Sequence, residues 1–317
     1  MSGHGEGSKV FAPGLLNGQV ALVTGGGTGL GKATAIELAR CGASVTIVGR
    51  RGEVLEQAAR EVEAVALRST TEDEQDQAGK EGQAGKGGQA GKAGRITVAW
   101  VVGDVREREE ADRLVQSVLE RHGRLDLLVN NAGGQFFAPA EGIAVKGWRA
   151  VWRLNVDGML NMAEAAYALA LAPAGGGTIV NVTLSPHHGM PGMAHSGAAR
   201  ATVEALTSAL GRRWAADGIS VSAVAAGHFE TEALEKYPQA LRAGMARSVP
   251  LQRLGTVAEH AWLVTLLASP LGRALNGSTV TLDGARDNWF GPWPPPGLAG
   301  EGGEVPTEER KGSPTSG

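Results

Sequence analysis

Residues 19–40 read Q-V-A-L-V-T-G-G-G-T-G-L-G-K-A-T-A-I-E-L-A-R, and this stretch decides the fold. Its first six residues are an almost continuous apolar run, which is typical of a buried β-strand. After the glycines, the apolar residues between Ala33 and Ala39 can share one helix face. A strand, a glycine-rich turn and a helix are therefore predicted in direct succession.

The turn between this strand and this helix predicts a dinucleotide site. A glycine at position 25 permits a sharp turn, while Gly29 and Gly31 let a pyrophosphate approach the backbone N–H groups at the helix N-terminus. A turn made glycine-rich for packing alone is the alternative, and the flanking strand and helix argue against it. The predicted cofactor contacts in this segment are Thr24, Gly25, Thr28, Gly29, Leu30 and Gly31.

The end of the second predicted strand favours NADP(H) over NAD(H). Arg50 and Arg51 stand about where an acidic residue would bind the ribose 2′-hydroxyl of NAD. A guanidinium group can instead bind a 2′-phosphate through two charge-assisted hydrogen bonds. The alternative is that one or both arginines are only solvated at the strand end.

Strand-like and helix-like segments alternate along the rest of the chain. Continuous apolar strands separated by helices predict a parallel sheet covered on both faces. The fold class is therefore α/β, a doubly wound parallel seven-stranded sheet (Rossmann fold) in a single domain. The predicted strands are 19–24, 44–48, 96–102, 125–129, 178–182, 219–224 and 278–282, and the predicted helices lie near 31–40, 52–67, 107–121, 146–170, 197–215 and 257–268.

Composition removes several classes of protein. Hydrophobic residues at 42% with 20% charged residues exclude wholesale disorder, and no run reaches the length of a membrane span. A net charge of −3 gives no electrostatic footprint for nucleic acid. The single cysteine, Cys41, excludes a disulfide framework, and the histidines lack a recognisable metal-ligand spacing, so we expect no metal.

The core is expected to span residues 14–287. Residues 1–13 lack apolar periodicity and are predicted to be disordered, and residues 288–317 form a Pro/Gly-rich tail. Residues 69–95 hold three Q-A-G-K hexads starting at Gln77, Gln83 and Gln89, which cannot bury an apolar face and are predicted to form a disordered loop. The lysines of this insert could alternatively bind phosphate; they are Lys80, Lys86 and Lys92.

Further motifs make the chain resemble the short-chain dehydrogenase/reductase family. They are T-G-x-x-x-G-x-G at 24–31, D-V at 104–105, N-N-A-G at 130–133 and N-V-D-G at 155–158. The resemblance implies that Asp104 holds the adenine edge beside Val105, and that Asn131 and Gly133, with Ala132 between them, line the approach to the ribose and nicotinamide. It also implies that Thr231 binds the carboxamide side of the nicotinamide and that Gly227 is a cofactor contact. Ala226, directly before Gly227, stands where the family usually has proline.

The catalytic tyrosine of that family is missing. Most members use a serine, a tyrosine, and a lysine four residues after the tyrosine, but neither Tyr167 nor Tyr237 has a lysine at that spacing. Aligning A-R-A-T-V-E-A-L-T with the family pattern places Arg200 at the lysine position and Ser196 at the tyrosine position. Thr183 then stands at the serine position, and His195 precedes Ser196.

A reaction that protonates carbon tolerates this loss. Hydride addition to the β-carbon of an enoyl thioester produces an enolate, whose oxygen needs hydrogen-bond donors rather than a phenol. Separated strings resemble the peroxisomal trans-2-enoyl-CoA reductases and their bacterial relatives, which implies NADPH-dependent reduction of an acyl-CoA. The strings are A-P-G-L-L-N-G-Q-V at 12–20, N-N-A-G-G-Q-F at 130–136, P-A-E at 139–141, K-G-W at 146–148 and H-S-G-A-A-R at 195–200.

Five residues are the catalytic candidates: Asn155, Thr183, His195, Ser196 and Arg200. Asn155 would order a water chain or nearby backbone, and Arg200 would orient the ribose. Thr183, His195 or Ser196 would donate to the thioester oxygen, and the sequence leaves the proton donor open. His195 could instead serve only in packing.

Residues flanking this group carry weaker hypotheses. His187, His188 and His228 could contribute an imidazole, although His187 and His188 fit a solvated loop better. Between Thr231 and Arg253, apolar residues alternate with arginines, which suits a lid that binds an acyl chain and a CoA phosphate. An ordinary amphipathic helix with a solvated basic face explains the same pattern; the arginines are Arg242, Arg247 and Arg253.

Three functions remain open at this point. The first is NADPH-dependent enoyl-CoA reduction, the second is dehydrogenation of a small or terpenoid alcohol such as citronellol, and the third is NADP binding without catalysis. The missing tyrosine and lysine count against the second. The ending T-S-G is no peroxisomal signal, so we expect a cytoplasmic location, and the resemblance implies a homotetramer or dimer packed through the helices near 146–170 and 197–215.

Overall fold

The computed structural model describes residues 8–81, 96–185, 192–232, 234 and 244–288. Seven parallel strands form one sheet in the order β3-β2-β1-β4-β5-β6-β7, which confirms the predicted fold class. The reversal of order beside β1 and β4 is the switch point where open α/β sheets bind ligands. The strands are β1 Val20–Thr24, β2 Ser44–Gly49, β3 Val98–Val102, β4 Leu127–Asn130, β5 Gly177–Leu184, β6 Ile219–Ala226 and β7 Thr279–Leu282.

Helices cover both faces of this sheet. The helices are α1 Gly29–Arg40, α2 Gly52–Glu81, α3 Arg108–His122, α4 Val145–Trp152, α5 Gly158–Ala166, α6 Ala194–Trp214 and α7 Val257–Ala268. Helices α1, α2 and α7 pack in one apolar cluster that includes Leu38, Val62 and Val264. Helices α3, α5 and α6 pack in a second cluster, which includes Met162 and Val203. Two apolar layers thus exclude water from both faces, as continuous apolar strands require.

The predicted helix 146–170 is interrupted twice. Residues Arg153–Asp157 and Tyr167–Leu171 form π-helical turns on either side of α5. A π-turn inserts one extra residue per turn and re-aims the side chains that follow, and such turns are frequent at functional sites. The first one carries Asn155, which is buried. The regular 3.6-residue periodicity could not predict this interruption.

The insert and the N-terminus differ in part from the sequence expectations. Helix α2 continues to Glu81, beyond the predicted end near residue 67, because the Glu, Gln and Ala of this stretch favour helix. The helix thus overlaps the first part of the predicted insert loop 69–95, and residues 82–95 lie outside the described part. At the N-terminus, Ser8 Oγ donates to Glu37 Oε1 (2.5 Å) and Phe11 packs on the core. Residues 1–7 and 289–317 also lie outside the described part.

Among the residues that the structure describes, no helix combines the length and the apolar character that a bilayer crossing requires.

Helix α7 begins with a capping box that also carries an ion pair. Thr256 Oγ1 accepts from the backbone N–H of Glu259, and the Glu259 carboxylate accepts from the backbone N–H of Thr256. The Arg253 guanidinium donates to both oxygens of the same carboxylate at 2.6 and 2.9 Å. This hydrogen bonding, chiefly from Arg253, lowers the pKa of Glu259 to about 2.

Replacing Glu259 with glutamine should therefore reduce stability in a pH-dependent way. Glutamine keeps the capping box but removes the charge, so we expect a loss of about 1 kcal/mol at neutral pH. A depressed folded-state pKa stabilises the protein above the ordinary Glu value near 4.5 and loses this effect as pH falls towards 2. Urea unfolding of both proteins at neutral pH and near pH 3 checks this, and a stability difference that does not shrink in acid would contradict it.

Candidate active site and cofactor cradle

The glycine turn after β1 forms a cradle that only glycine can line. Gly25 and Gly29 have positive φ angles of +66° and +53°, which side chains other than glycine rarely adopt. A Cβ atom on Gly31 would lie 2.4 Å from the Gly25 carbonyl oxygen and 2.4 Å from Asn131 Nδ2. Helix α1 starts here behind an extended Thr28, whose side chain does not cap the helix. The first turn of α1 is therefore not capped by the Thr28 side chain, and uncapped N–H groups at a helix N-terminus are the kind that bind phosphate.

A hydrogen-bond link ties this cradle to the end of β4. Thr24 Oγ1 accepts from the backbone N–H groups of Asn131 and Ala132, both at 3.0 Å. In return, Asn131 Nδ2 donates to the carbonyl oxygens of Thr24 (3.0 Å) and Gly25 (3.3 Å). The side chains of Thr24 and Asn131 thus hold the turn in shape. Their role in lining the cofactor stays a prediction.

The far wall of the cradle comes from the segment after β6. A Cβ on Gly29 would lie 3.7 Å from Thr231 Cγ2, so Thr231 stands across the turn from Gly29. Gly227 donates its N–H to the Leu282 carbonyl oxygen at 3.0 Å, and a Cβ there would lie 2.5 Å from the Asp283 Cβ. Leu30 is half-buried and packs on the first apolar cluster. Thr231 thus lies beside the glycine turn, whereas Gly227 packs against the end of β7 and Leu30 against the core.

The predicted adenosine end lies where β2 and β3 finish side by side. Gly49 pairs with Val102, so Arg50 and Asp104 follow at neighbouring positions of the sheet edge. Arg50 and Arg51 are exposed, and Val105 is buried beneath α5, where a Cβ on Gly158 would meet its side chain at 2.8 Å. Arg50, Arg51 and the Asp104 carboxylate thus follow β2 and β3 at the corner where the 2′-phosphate of NADP would bind.

Arg200 lies under the opposite end of the site. A Cβ on Gly133 would lie 2.5 Å from Arg200 Nη2 and 2.8 Å from Asn155 Oδ1, so the guanidinium and the amide both face Gly133. Arg200 Nη1 donates to the Val182 carbonyl oxygen at 2.8 Å, while its Nε is shielded and unpartnered. Burial lowers the pKa of Arg200 to about 10. No described carboxylate pairs with this cation.

Asn155 and Thr183 flank Arg200 and organise backbone. The Asn155 amide accepts from the Gly134 N–H (3.1 Å) and donates to the carbonyl oxygens of Gly134 (2.9 Å) and Val151 (2.7 Å). Thr183 Oγ1 lies 3.2 Å from the Arg200 carbonyl oxygen and 3.4 Å from Glu204 Oε1. Asn155 therefore bridges α4 and the backbone of Gly134, and its predicted catalytic role stays a prediction.

His195 and Ser196 lie buried in the first turn of α6. They are 1% and 0% exposed, and neither imidazole nitrogen of His195 nor Ser196 Oγ has a hydrogen-bond partner in the described structure. The imidazole packs against Phe136, with ring centroids 4.3 Å apart, and against the edge of Trp148 at 6.0 Å. Burial lowers the pKa of His195, which keeps the imidazole neutral at physiological pH. Buried polar atoms without partners mark a place where a ligand can supply them.

The weaker candidates do not join this group. The Arg253 guanidinium donates to both carboxylate oxygens of Glu259. In this structure it is therefore engaged by Glu259 and not free for the predicted contact with a CoA phosphate. Burial, followed by the nearby Arg286, lowers the pKa of His228 to about 4. His228 lines a small cavity with Phe229 and Leu282 at the ends of β6 and β7. Arg247 is exposed, and His187, His188 and Arg242 lie outside the described residues.

Several side-chain hydrogen bonds join elements that are distant in the sequence, and the sequence did not predict them. Ser185 Oγ donates to Asp283 Oδ2 at 2.5 Å and thereby links the ends of β5 and β7. Asn130 Nδ2 donates to Asn181 Oδ1 (3.0 Å), and Asn181 Nδ2 donates to Thr207 Oγ1 (2.9 Å), which joins β4, β5 and α6 beneath the site. The polar residues at otherwise apolar strand positions were the available signal.

Two known protein families match the chain. Residues 80–285 match the family described as enoyl-(acyl carrier protein) reductase, and residues 19–79 match the family described as short chain dehydrogenase. Together these matches cover the whole sheet.

Individual relatives agree with the families. The chain is 34% identical to the probable 2,4-dienoyl-CoA reductase [(2E)-enoyl-CoA-producing] of Bacillus subtilis, over 87% of this chain and 98% of that protein. It is 32% identical to the peroxisomal 2,4-dienoyl-CoA reductase [(3E)-enoyl-CoA-producing] of Arabidopsis thaliana, over 86% of each. A solved structure, the citronellol catabolism dehydrogenase of Pseudomonas aeruginosa PAO1, is 35% identical with a TM-score of 0.70, over 88% of this chain and 98% of that one. With the glycine cradle and the seven-stranded sheet, these matches show that the chain belongs to the short-chain dehydrogenase/reductase family of nicotinamide-dependent oxidoreductases.

Proposed function

We propose that this protein uses NADPH to reduce the 2,3 double bond of a trans-2-enoyl-CoA. The observation that carries the proposal is the pair of buried, unpartnered donors at the start of α6, Ser196 and His195, in place of the family's tyrosine. A conjugated thioester gathers negative charge on its carbonyl oxygen when a hydride adds at the β-carbon. A hydroxyl and a neutral imidazole can donate to that oxygen, and no phenol is needed. The names of the curated relatives, 2,4-dienoyl-CoA reductases, support the acyl-CoA class.

The NADPH preference rests on charge at the end of β2. Arg50 is exposed there, and no described carboxylate forms an ion pair with it. A free guanidinium suits a 2′-phosphate, whereas a ribose 2′-hydroxyl is usually bound by a carboxylate. The proposed NADPH site thus extends from Arg50 and Arg51 across the glycine cradle to Thr231 and Arg200.

The proposed chemistry divides between the cofactor and the chain. Bound NADPH supplies the hydride that adds to the substrate β-carbon. Ser196 Oγ and a His195 N–H donate to the thioester oxygen while it carries the enolate charge, and Arg200 adds a nearby positive charge. The α-carbon takes its proton from water, and Asn155 holds the Gly133–Gly134 backbone that shapes this end of the site.

Alcohol oxidation of the citronellol type is the second candidate. The 35% identity to the citronellol catabolism dehydrogenase favours it. The absence of tyrosine at position 196 and of lysine at position 200 argues against it, because alcohol oxidation needs a positioned general base to take the hydroxyl proton. A protein that binds NADP without catalysis is the third.

A comparison of substrates separates these functions. We expect NADPH absorbance to fall with crotonyl-CoA or trans-2-decenoyl-CoA, and NADP⁺ to remain unreduced with citronellol. Turnover of citronellol alone would overturn the proposal in favour of the second function. Turnover of 2,4-decadienoyl-CoA alone would keep the acyl-CoA class and replace the substrate, while tight NADPH binding without turnover would support the third function.

A double variant tests the donors. In Ser196→Ala/His195→Phe both donors are gone, and we expect kcat to fall about 100-fold, as when an oxyanion donor is removed elsewhere. Thr202→Ala is the matched control, since its hydroxyl lies on the same helix but donates to the Ala198 carbonyl oxygen. NADPH affinity should change little in either protein. A double variant with kcat within threefold of wild type would refute the assigned role.

A further inference from the structure

The turn after β3 holds a carboxylate inside the predicted phosphate corner. Asp104 follows β3, and Arg50 follows the neighbouring strand β2; hydrogen bonding from Arg106 chiefly lowers the pKa of Asp104, and the positive charge of Arg50 adds a smaller lowering. The carboxylate is therefore ionised, and it lies close enough to Arg50 for their charges to interact. A 2′-phosphate bound by Arg50 would meet the field of this negative charge, which disfavours a second anion nearby.

Arg106 neutralises this carboxylate. Its Nε donates to Asp104 Oδ1 at 2.9 Å and to Oδ2 at 3.0 Å, its Nη2 forms a further short contact with Oδ2, and its backbone N–H donates to Oδ1 at 3.1 Å. These contacts engage both oxygens, and this hydrogen bonding is the largest cause of the lowered Asp104 pKa. Both side chains remain partly accessible, at 31% and 24% exposure, so the pair borders the space above the sheet edge.

We propose that Arg106 is a specificity-determining residue for the cofactor, because it cancels the charge of Asp104 and lets Arg50 accept a 2′-phosphate. This inference rests on the NADPH preference proposed above. NADH carries the same adenine and ribose but no 2′-phosphate, so its binding should not depend on the charge of this corner. Arg106 then acts on discrimination between cofactors, rather than on the binding of the shared adenosine.

A purely structural role makes a different prediction. If the ion pair only shaped the turn before α3, removing it would displace Asp104 and weaken both cofactors alike. If Arg106 instead contacted the phosphate directly, removing the Asp104 charge would not compensate for its loss. Partly exposed ion pairs contribute little to stability, so the fold should survive the change.

The test measures dissociation constants of NADPH and NADH for the whole protein, without acyl-CoA, by cofactor fluorescence. The proteins are wild type, Arg106→Gln, Asp104→Asn and the double variant. We expect Arg106→Gln to weaken NADPH about tenfold and NADH less than twofold, as one uncompensated charge close to the phosphate would do. In the double variant, the NADPH/NADH ratio should return to within about threefold of wild type.

Arg124→Gln is the matched control. Arg124 binds Asp126 at the same spacing with two hydrogen bonds of 2.6 and 2.9 Å, but this pair precedes the central strand β4 and so lies at its amino end, whereas Asp104 follows the carboxyl end of β3. Its cofactor constants should equal those of wild type. Equal weakening of both cofactors in Arg106→Gln, unchanged NADPH binding in that variant, or a double variant as weak as the single one would each overturn the inference. Wild type binding NADH more tightly than NADPH would instead overturn the proposed cofactor.

Discussion

Replacing Arg200 with methionine should lower kcat about 100-fold while the protein stays folded. The guanidinium is the positive charge closest to Gly133 and Asn155, and no described carboxylate balances it. An unbalanced buried cation is costly for folding but useful where negative charge develops. Methionine has a similar length and keeps the packing, so the variant isolates the charge.

The Arg200→Met variant should therefore lose activity while its thermal stability changes little. The hydrogen bond from Arg200 Nη1 to the Val182 carbonyl oxygen is lost, and the burial of an unpaired charge is relieved. These effects oppose each other, so the melting temperature should change by less than about 3 °C. Thermal unfolding and steady-state kinetics with an enoyl-CoA measure the two quantities.

Arg200→Lys is the control that keeps the charge. It installs the residue type that the family usually has at this position, and kcat should recover to within about tenfold of wild type. A methionine variant with kcat within threefold of wild type would refute a role for the charge. Loss of NADPH affinity without loss of kcat would restrict Arg200 to holding the ribose.

Replacing Gly31 with alanine should abolish most cofactor binding. The added methyl group would lie 2.4 Å from the Gly25 carbonyl oxygen and 2.4 Å from Asn131 Nδ2, well inside van der Waals contact. The turn and the start of α1 must move apart, which displaces the N–H groups that would bind the pyrophosphate. Loss of two such charge-assisted hydrogen bonds predicts at least a 100-fold weaker NADPH.

The same substitution should also destabilise the protein. Overpacking of this kind costs about 1–3 kcal/mol, which lowers the melting temperature by several degrees. Gly197→Ala is the control for this measurement, because a Cβ there has no neighbour within 4 Å and alanine favours helix. Its melting temperature should not fall. A Gly31→Ala protein that binds NADPH with wild-type affinity would contradict the cradle as described.

The local pattern of the sequence was sufficient for the sheet and for the cradle. Continuous apolar runs predicted all seven strands, because a strand that is buried on both faces of a sheet must be apolar along its whole length. The glycine turn could also be predicted from the sequence, because Gly25, Gly29 and Gly31 stand where close backbone approach leaves no room for side chains. The missing tyrosine needed only residue identities and spacing.

The tertiary structure alone decided which polar side chains are engaged and which are not. Arg253 looked available for a phosphate, yet Glu259 binds it. His195 proved to be buried between Phe136 and Trp148, which come from separate segments. A sequence pattern reports which face of an element is apolar, but the pairing of a charge depends on side chains that folding brings together. For this protein the sequence by itself therefore determined the fold and the position of the glycine-rich turn. The contacts made on folding decided the environments of Arg200, His195 and Arg106, on which the proposed chemistry and cofactor choice depend.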